Sequence, residues 1–212
     1  MTRGKWWLLG AFGALVAVTW INPPWPAEQA LHSSLTAVAI VALWLLRRRL
    51  DTAQWAWALV FLALHTIAAR WIYSFVPYDD WTNALFGVRL SEAFSSDRNH
   101  FDRLVHFAYG VCLTAILRQK WVRSLEIVLA TSALYELLEW AIAMTLAPDV
   151  AEAYNGQQGD MWDAHADMAL AALGALVTSL ASCALRRSRA AATRSPAPAT
   201  TPPERPGRAP AR

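Results

Sequence analysis

The 212-residue chain has only two cysteines, Cys112 and Cys183, and nine glycines. With no second thiol or histidine at ligand spacing around either cysteine, a disulfide framework and a thiolate-held metal are both excluded. The two are expected to be small apolar packing residues. Charged residues make up just 17% of the chain, and no basic patch argues for nucleic acid as a partner. Several signatures are also missing: a His-Glu-x-x-His zinc helix, and a lipid-phosphatase pattern of Lys and Arg followed by Ser-Gly-His. There is no convincing internal repeat. Paired Gly or Pro breaks in corresponding helices, which point to the binding site of many transporters, are absent as well.

What is present is apolar length. Hydrophobic residues make up 56% of the chain, with twelve Trp. A bilayer core of about 30 Å needs roughly 20 apolar residues per helix, and about 17 still suffice. Six stretches qualify: Trp6 to Ile21, Ala30 to Leu46, Ala53 to Phe75, Arg103 to Leu117, Val122 to Leu146 and Trp162 to Leu185. The fold class expected is therefore all-α, a polytopic bundle of six transmembrane helices in one domain, 1–185. The first stretch follows Arg3 and Lys5 and could be taken for a signal peptide. Trp20 and the Pro23, Pro24, Pro26 cluster do not resemble a small-residue cleavage site.

Cations set the orientation. Arg3, Lys5, Arg47 to Arg49, Arg118, Lys120, Arg123, Arg186, Arg187 and Arg189 fall on one side if six helices alternate. Glu28, Asp79, Asp80, Glu92, Asp97, Asp149, Glu152 and Asp160 fall on the other, against Arg89 and Arg98 alone. The positive-inside rule makes the first side cytoplasmic and puts both termini there. Trp6, Trp7, Trp20, Trp25, Trp71, Trp81, Trp121 and Trp162, at segment ends, fit interfacial belts. The longest external loop, from Pro77 to His100, spaces Phe86, Leu90 and Phe94 so that part of it could lie on the membrane as an amphipathic segment. From 186 to 212 the chain is rich in Arg, Ala, Pro and Thr and reads as a disordered cytoplasmic tail whose arginines meet anionic lipid.

Against this apolar background, acids recur at helical spacing: Asp102 with His106, Glu136 with Glu139, Asp163 with Asp167. Each costs about 2.5–3.5 kcal/mol at a helix centre on insertion scales, so an intramembrane acid is read first as a functional site facing the bundle interior. Three- and four-residue spacing puts both members of a pair on one helix face, and alternation brings all three pairs toward the external side. Tyr109 and Tyr135 extend these faces, and His65 with Arg70 could close the site. His100 and His165 rank lower, because His165 lies roughly opposite Asp163 on its helix.

Crowded carboxylates need protons, a cation or arginine. Oxygen ligands with one or two imidazoles suit Mg²⁺, Mn²⁺, Zn²⁺ or non-haem iron, so a divalent metal ion is the candidate cofactor. Three functions remain open. In the first, a metal held by Asp102, His106, Glu139, Asp163 and Asp167 serves a hydrolase or transferase acting on a lipid-linked or envelope substrate. Glu136 is then the catalytic base, and Arg98, Arg103, Tyr109, Tyr135, His65 and Arg70 contact substrate. In the second, the same acids relay protons or cations in a transporter. In the third, Arg70 and Arg103 pair with the acids in a structural membrane subunit. Membrane lipids are the partners expected in every case.

Four stretches carry a family resemblance. They are His65-Thr66-Ile67-Ala68-Ala69-Arg70 with Tyr73 and Val76-Pro77-Tyr78; Arg98-Asn99-His100-Phe101-Asp102-Arg103-Leu104-Val105-His106-Phe107 with Gly110; Tyr135-Glu136-Leu137-Leu138-Glu139-Trp140; and Gln158-Gly159-Asp160-Met161-Trp162-Asp163-Ala164-His165-Ala166-Asp167-Met168 with Gly174-Ala175. In combination they resemble the YjdF-like family of bacterial inner-membrane proteins, a domain of unknown function. The chain departs from that pattern at Ala68, where glycine is usual, and at His165, where a polar residue such as Gln is common. The resemblance implies an inner-membrane, multi-pass location and a shared polar centre, with no activity attached. A weaker likeness, to VanZ-like membrane proteins, rests on Asp102, His106, Glu136, Glu139, Asp163 and Asp167, and implies an envelope-related role.

Overall fold

The computed structural model describes residues 1–93, 95, 98–146 and 155–194, with side chains up to 190. The described residues form eight helices and no strand. In chain order they are α1 (Arg3–Thr19), α2 (Pro26–Leu45), α3 (Thr52–Arg70), α4 (Tyr78–Phe86), α5 (Leu90–Ala93), α6 (Phe101–Leu117), α7 (Trp121–Thr145) and α8 (Asp163–Arg194). Each of the six expected apolar stretches falls on a helix. Four helices (α2, α3, α7 and the part of α8 from Asp163 to Ala190) are long and apolar enough to cross a membrane, whereas α1 and α6 have 17 residues each.

The chain divides into two units, Met1–Leu180 and Ala181–Arg212. In the second, helix continues to Arg194. The remainder of the expected tail, 195–212, lies outside the described residues, as do Phe94, Asp97, Asp149 and Glu152.

Within the first unit α3 is the central post, packing against α1, α2 and α6. Phe12, Leu43, Trp55, Leu59 and Leu62 form one core cluster among α1, α2 and α3. A second joins Ala68, Tyr73 and Val76 to Phe101 and Val105 of α6. Val128 of α7 meets Ala171 and Ala175 of α8 in a third. Large apolar side chains also face outward, including Val38, Val41 and Leu45 on α2 and Leu134, Leu137 and Trp140 on α7. In water such faces would be a liability; in lipid they are the expected surface.

Side-chain contacts sort the helix ends into two sets. At one end, Lys5 of α1 donates its Nζ to the carbonyls of Arg47 (3.0 Å) and Leu50 (2.5 Å). Gln54 donates to the carbonyl of Ile116 at 2.7 Å, and Arg118 holds Asp51 with two bonds of 2.5 and 3.1 Å. At the other end, Arg70 donates to the carbonyls of Thr19 (2.5 Å) and Ile21 (3.0 Å), and the Trp25 ring stacks on Phe75. Asn99 donates to the carbonyl of Val76 at 2.8 Å. These contacts make α1, α2, α3 and α6 alternate in direction.

Local sequence explains the junctions. Asp51 caps α3 in a reciprocal box with Gln54, each side chain accepting from the other's backbone N–H at 2.9 Å. Its carboxyl is held below the usual Asp range by the Gln54 backbone bond and then by the Arg118 guanidinium. After α3 the chain turns through two positive-φ residues, Ile72 (φ 41°) and Tyr73 (φ 59°). That conformation is unusual for a β-branched residue, and it folds Tyr73 back onto His65.

The external loop is partly helical. In α4, Leu85 and Phe86 are 74% and 76% exposed, and Gly87 ends the helix in the left-handed conformation that favours glycine. Of the expected Phe86, Leu90 and Phe94 face, Phe86 is exposed, Leu90 is half-buried and Phe94 lies outside the described residues.

Candidate functional site

Two helix starts build the site. Asp102 lies in the first turn of α6 and Asp163 in the first turn of α8, where the helix dipole favours acids. One turn further on, His106 and Asp167 lie beyond that help. The two helices approach closely because small residues face each other: a Cβ added to Gly110 would overlap the Ala171 carbonyl, and one added to Gly174 would overlap the Phe107 carbonyl. Close backbone approach through small residues is a membrane-helix packing device. Here it brings the two acidic faces together.

Asp102, His106 and Asp167 each offer a ligand atom, and these atoms all lie within 4.8 Å of one another. His106 Nε2 is 3.5 Å from an Asp102 oxygen and 3.9 Å from an Asp167 oxygen. Asp102 and Asp167 are 4% and 1% exposed. Distances above 3.2 Å leave the three groups adjacent without strong mutual hydrogen bonds. A set of two carboxylate oxygens and one imidazole suits a divalent cation.

Two arginines hold the surrounding acids. Arg103 reaches Asp160 (2.9 Å), Asp163 (2.8 Å) and Asp167 (2.7 Å), and donates to the Asp163 carbonyl at 3.0 Å. Arg98 lies 2.5 Å from Asp163, 3.8 Å from Asp160 and 4.0 Å from Asp102. It also donates to the carbonyl of Gln157 at 2.5 Å. A side-chain clamp fixes the connection between the helices. Gln158 accepts from the Asn99 backbone N–H at 2.9 Å and donates to the Asn99 carbonyl at 3.1 Å.

Glu136 and Glu139 approach from α7. Glu136 is within electrostatic reach of His106, Asp167, Asp102 and Asp163, and its buried Oε1 has no hydrogen-bond partner. Glu139, 8% exposed, shares a side-chain hydrogen bond with Tyr135, and Asn155 donates to its carbonyl at 3.2 Å. Six carboxyl groups thus gather around two guanidiniums and one imidazole.

The other expected site residues fall into two groups. Tyr135 sits with its ring 6.0 Å from that of His106. Tyr109 donates to Thr131 Oγ1 at 2.5 Å, and His65 pairs through Nδ1 with Tyr73 and through Nε2 with the His32 carbonyl at 3.2 Å. Together with His106 these residues line a cavity of 200 Å³ among α2, α3, α6 and α7. Arg70 is not brought to the acids. Its guanidinium serves the carbonyl of Thr19, the last residue of α1, and that of Ile21 just past the helix. His165 is exposed and lies against Trp162. His100, at the start of α6, titrates below the ordinary histidine range because of burial, reinforced by the Arg98 and Arg103 charges.

Asp160 is the member that pattern reading left in the loop. It accepts from the Trp162 backbone N–H at 2.9 Å, bonds Arg103 at 2.9 Å and lies 3.8 Å from Arg98. Its three-residue spacing from Asp163 was the available signal, since it repeats the i,i+3 spacing of Glu136 and Glu139.

Comparison with known proteins agrees with this architecture. A family model described as predicted membrane protein (DUF2238) matches residues 4–188. The chain is 32% identical over 161 residues to the inner membrane protein YjdF of Escherichia coli strain K12, covering 68% of this chain and 73% of the relative. No solved structure matches. The apolar helices and this relative make the chain a multi-pass inner-membrane protein. It belongs to the DUF2238 family of predicted membrane proteins.

Proposed function

We propose that Asp102, His106 and Asp167 form a divalent-cation centre, and that the protein is a metal-assisted hydrolase or transferase acting on a lipid-linked or envelope substrate. The observation that carries the centre is the convergence of three ligand atoms within 4.8 Å, drawn from two different helices. The excess of carboxyls over arginines supports it, because buried like charges favour a bound cation. Arg98 and Arg103 position Asp160, Asp163 and Asp167 rather than meeting a headgroup. Glu136, whose buried Oε1 has no hydrogen-bond partner, would be the base for a water that a bound cation would activate. Asp163 and Glu139 stand one step behind the ligand set, held by arginine and by Tyr135.

The test is metal content by elemental mass spectrometry on detergent-purified protein, with an Asp102→Asn, Asp167→Asn double variant of matched fold as the comparison. Stoichiometric metal lost in the variant is the expected result. No metal in either protein after reconstitution with Mg²⁺, Mn²⁺, Zn²⁺ and iron overturns the reading.

One observation favours a second reading. Arg98 and Arg103 together contact Asp102, Asp160, Asp163 and Asp167, which is the pattern of an internal ion network in a structural subunit. That reading expects melting temperature to be indifferent to added divalent cations.

Six spans with both termini cytoplasmic complete the proposal. Support comes from the alternation of the helix ends and from the cations Lys5, Arg47 and Arg118 gathered at one of them. Thiol labelling from either side of the membrane, with cysteines introduced singly at Arg48 and Trp81, tests it. Labelling of both from the same side overturns it.

A further inference from the structure

The 200 Å³ cavity is lined by α2, α3, α6 and α7, and its walls are predominantly apolar. Half of its lining consists of rings: Phe61, His65, Tyr73, His106, Tyr109 and Tyr135. Flat aromatic walls favour a flat guest through edge and stacked contacts. Size points the same way, since an apolar cavity of about 150 Å³ accepts benzene; this one has room for a ring with a small substituent.

The polar groups on the wall then say which ring. His65 is bonded through both ring nitrogens, to Tyr73 and to the His32 carbonyl. Tyr109 donates its proton to Thr131, and Thr131 in turn donates to the Ile127 carbonyl at 2.6 Å. Ser132 is different. It is 2% exposed, it lines the cavity, and its Oγ has no hydrogen-bond partner. A buried hydroxyl left without a partner is destabilising, and a guest oxygen that both accepts and donates would remove that cost. His106 shares the same wall while its Nε2 faces Asp102 and Asp167.

We propose that this cavity is a binding site for a neutral, ring-sized phenolic ligand, its hydroxyl on Ser132 and its ring among Phe61, Tyr109 and Tyr135. The site stands on the cavity and Ser132, and does not require a metal at Asp102, His106 and Asp167. Because His106 borders both, a guest held here lies directly beside the acidic cluster.

The probe is 4-fluorophenol, followed by ¹⁹F NMR against purified protein in detergent, with empty micelles as the partition control. Expected is a saturable shift beyond micelle partition. Ser132→Ala weakens it about five- to tenfold, the value of one hydrogen bond. Ala39→Phe abolishes it by filling the space, and Leu62→Phe is the second filling variant should the first not fold, with thermal melting as the check. A shift that never saturates, or that both filling variants leave unchanged, overturns the proposal. Displacement by 1-hexanol as readily as by phenol overturns the ring class. Metal content read on the same samples separates this outcome from the metal-centre reading: metal without phenol binding defeats the cavity site alone, and phenol binding without metal defeats the metal centre alone.

Discussion

The two ends of the bundle hold their charges in opposite ways. At the end carrying Lys5, Asp51 and Arg118, one acid meets one base, both about half exposed (52% and 51% of their side chains), and each also caps a helix. At the end carrying Arg98 and Arg103, the arginine side chains are 14% and 12% exposed, and the acids they hold outnumber them. Exposed pairs contribute little, with a median near 0–1 kcal/mol. Buried charges lose their water, and a surplus of one sign is costly unless something else neutralises it. A bundle that needed only stability would use the first arrangement at both ends. The difference is the physical case for a site at the starts of α6 and α8.

The most damaging way to break the comparison is at the α6–α8 crossing. Gly110→Val with Gly174→Val puts side chains into facing backbone carbonyls. Each costs on the order of 3 kcal/mol or more, so the monodisperse peak in detergent chromatography is lost together with any metal binding. Next is Arg103→Ala, which leaves Asp160, Asp163 and Asp167 without their shared partner. Removing one member of a buried pair costs about 3–5 kcal/mol, and adding Asp167→Asn to that variant, the acid for which Arg98 is no substitute, recovers part of the loss in thermal melting.

The Asp102→Asn, Asp167→Asn variant sharpens the contrast. Added divalent cation at a hundred times its Kd stabilises the parent by about 2.7 kcal/mol, and the variant by nothing. In the absence of metal the variant melts at or above the parent, because a like-charge repulsion has been removed. The opposite end supplies the control: Arg118→Ala separates a half-exposed pair and leaves the melting temperature within about two degrees of the parent's.

The smallest effect is a pH slope. His100 binds a proton less readily folded than unfolded, through burial and the Arg98 and Arg103 charges. Below about pH 6.5 the unfolded chain therefore carries more protons, and stability falls as the pH drops. His100→Asn flattens that slope in acid melting curves; a slope unchanged by the variant means that other groups set it.

Pattern reading located the helices because each apolar run is long and locally defined. All six expected stretches are helical, and the differences lie at their ends. α3 stops at Arg70, several residues before the expected Phe75, because the chain reverses through Ile72 and Tyr73. Nothing in the hydropathy of Trp71 to Val76 announces a turn. The site was legible where both members of a pair lie on one helix, as with Asp102 and His106. It was not legible for Arg70, whose partners are backbone carbonyls at and just past the end of α1, some fifty positions away. Backbone carbonyls carry no sequence signature. Ser132 was missed for a related reason: its lack of a partner is a property of the space around it.

The sequence by itself determined that this chain is a helical membrane protein with acids at helical spacing inside apolar segments, because hydropathy and the 3.6-residue period are local properties. Only the tertiary structure decided which acids meet. It set Asp167 rather than Glu139 beside Asp102 and His106, gave Arg98 and Arg103 to Asp163, and left an apolar cavity behind His106. The physical reason is the close crossing of α6 and α8 at Gly110 and Gly174, where the absence of two side chains fixes how near, and in what register, the two acidic faces come.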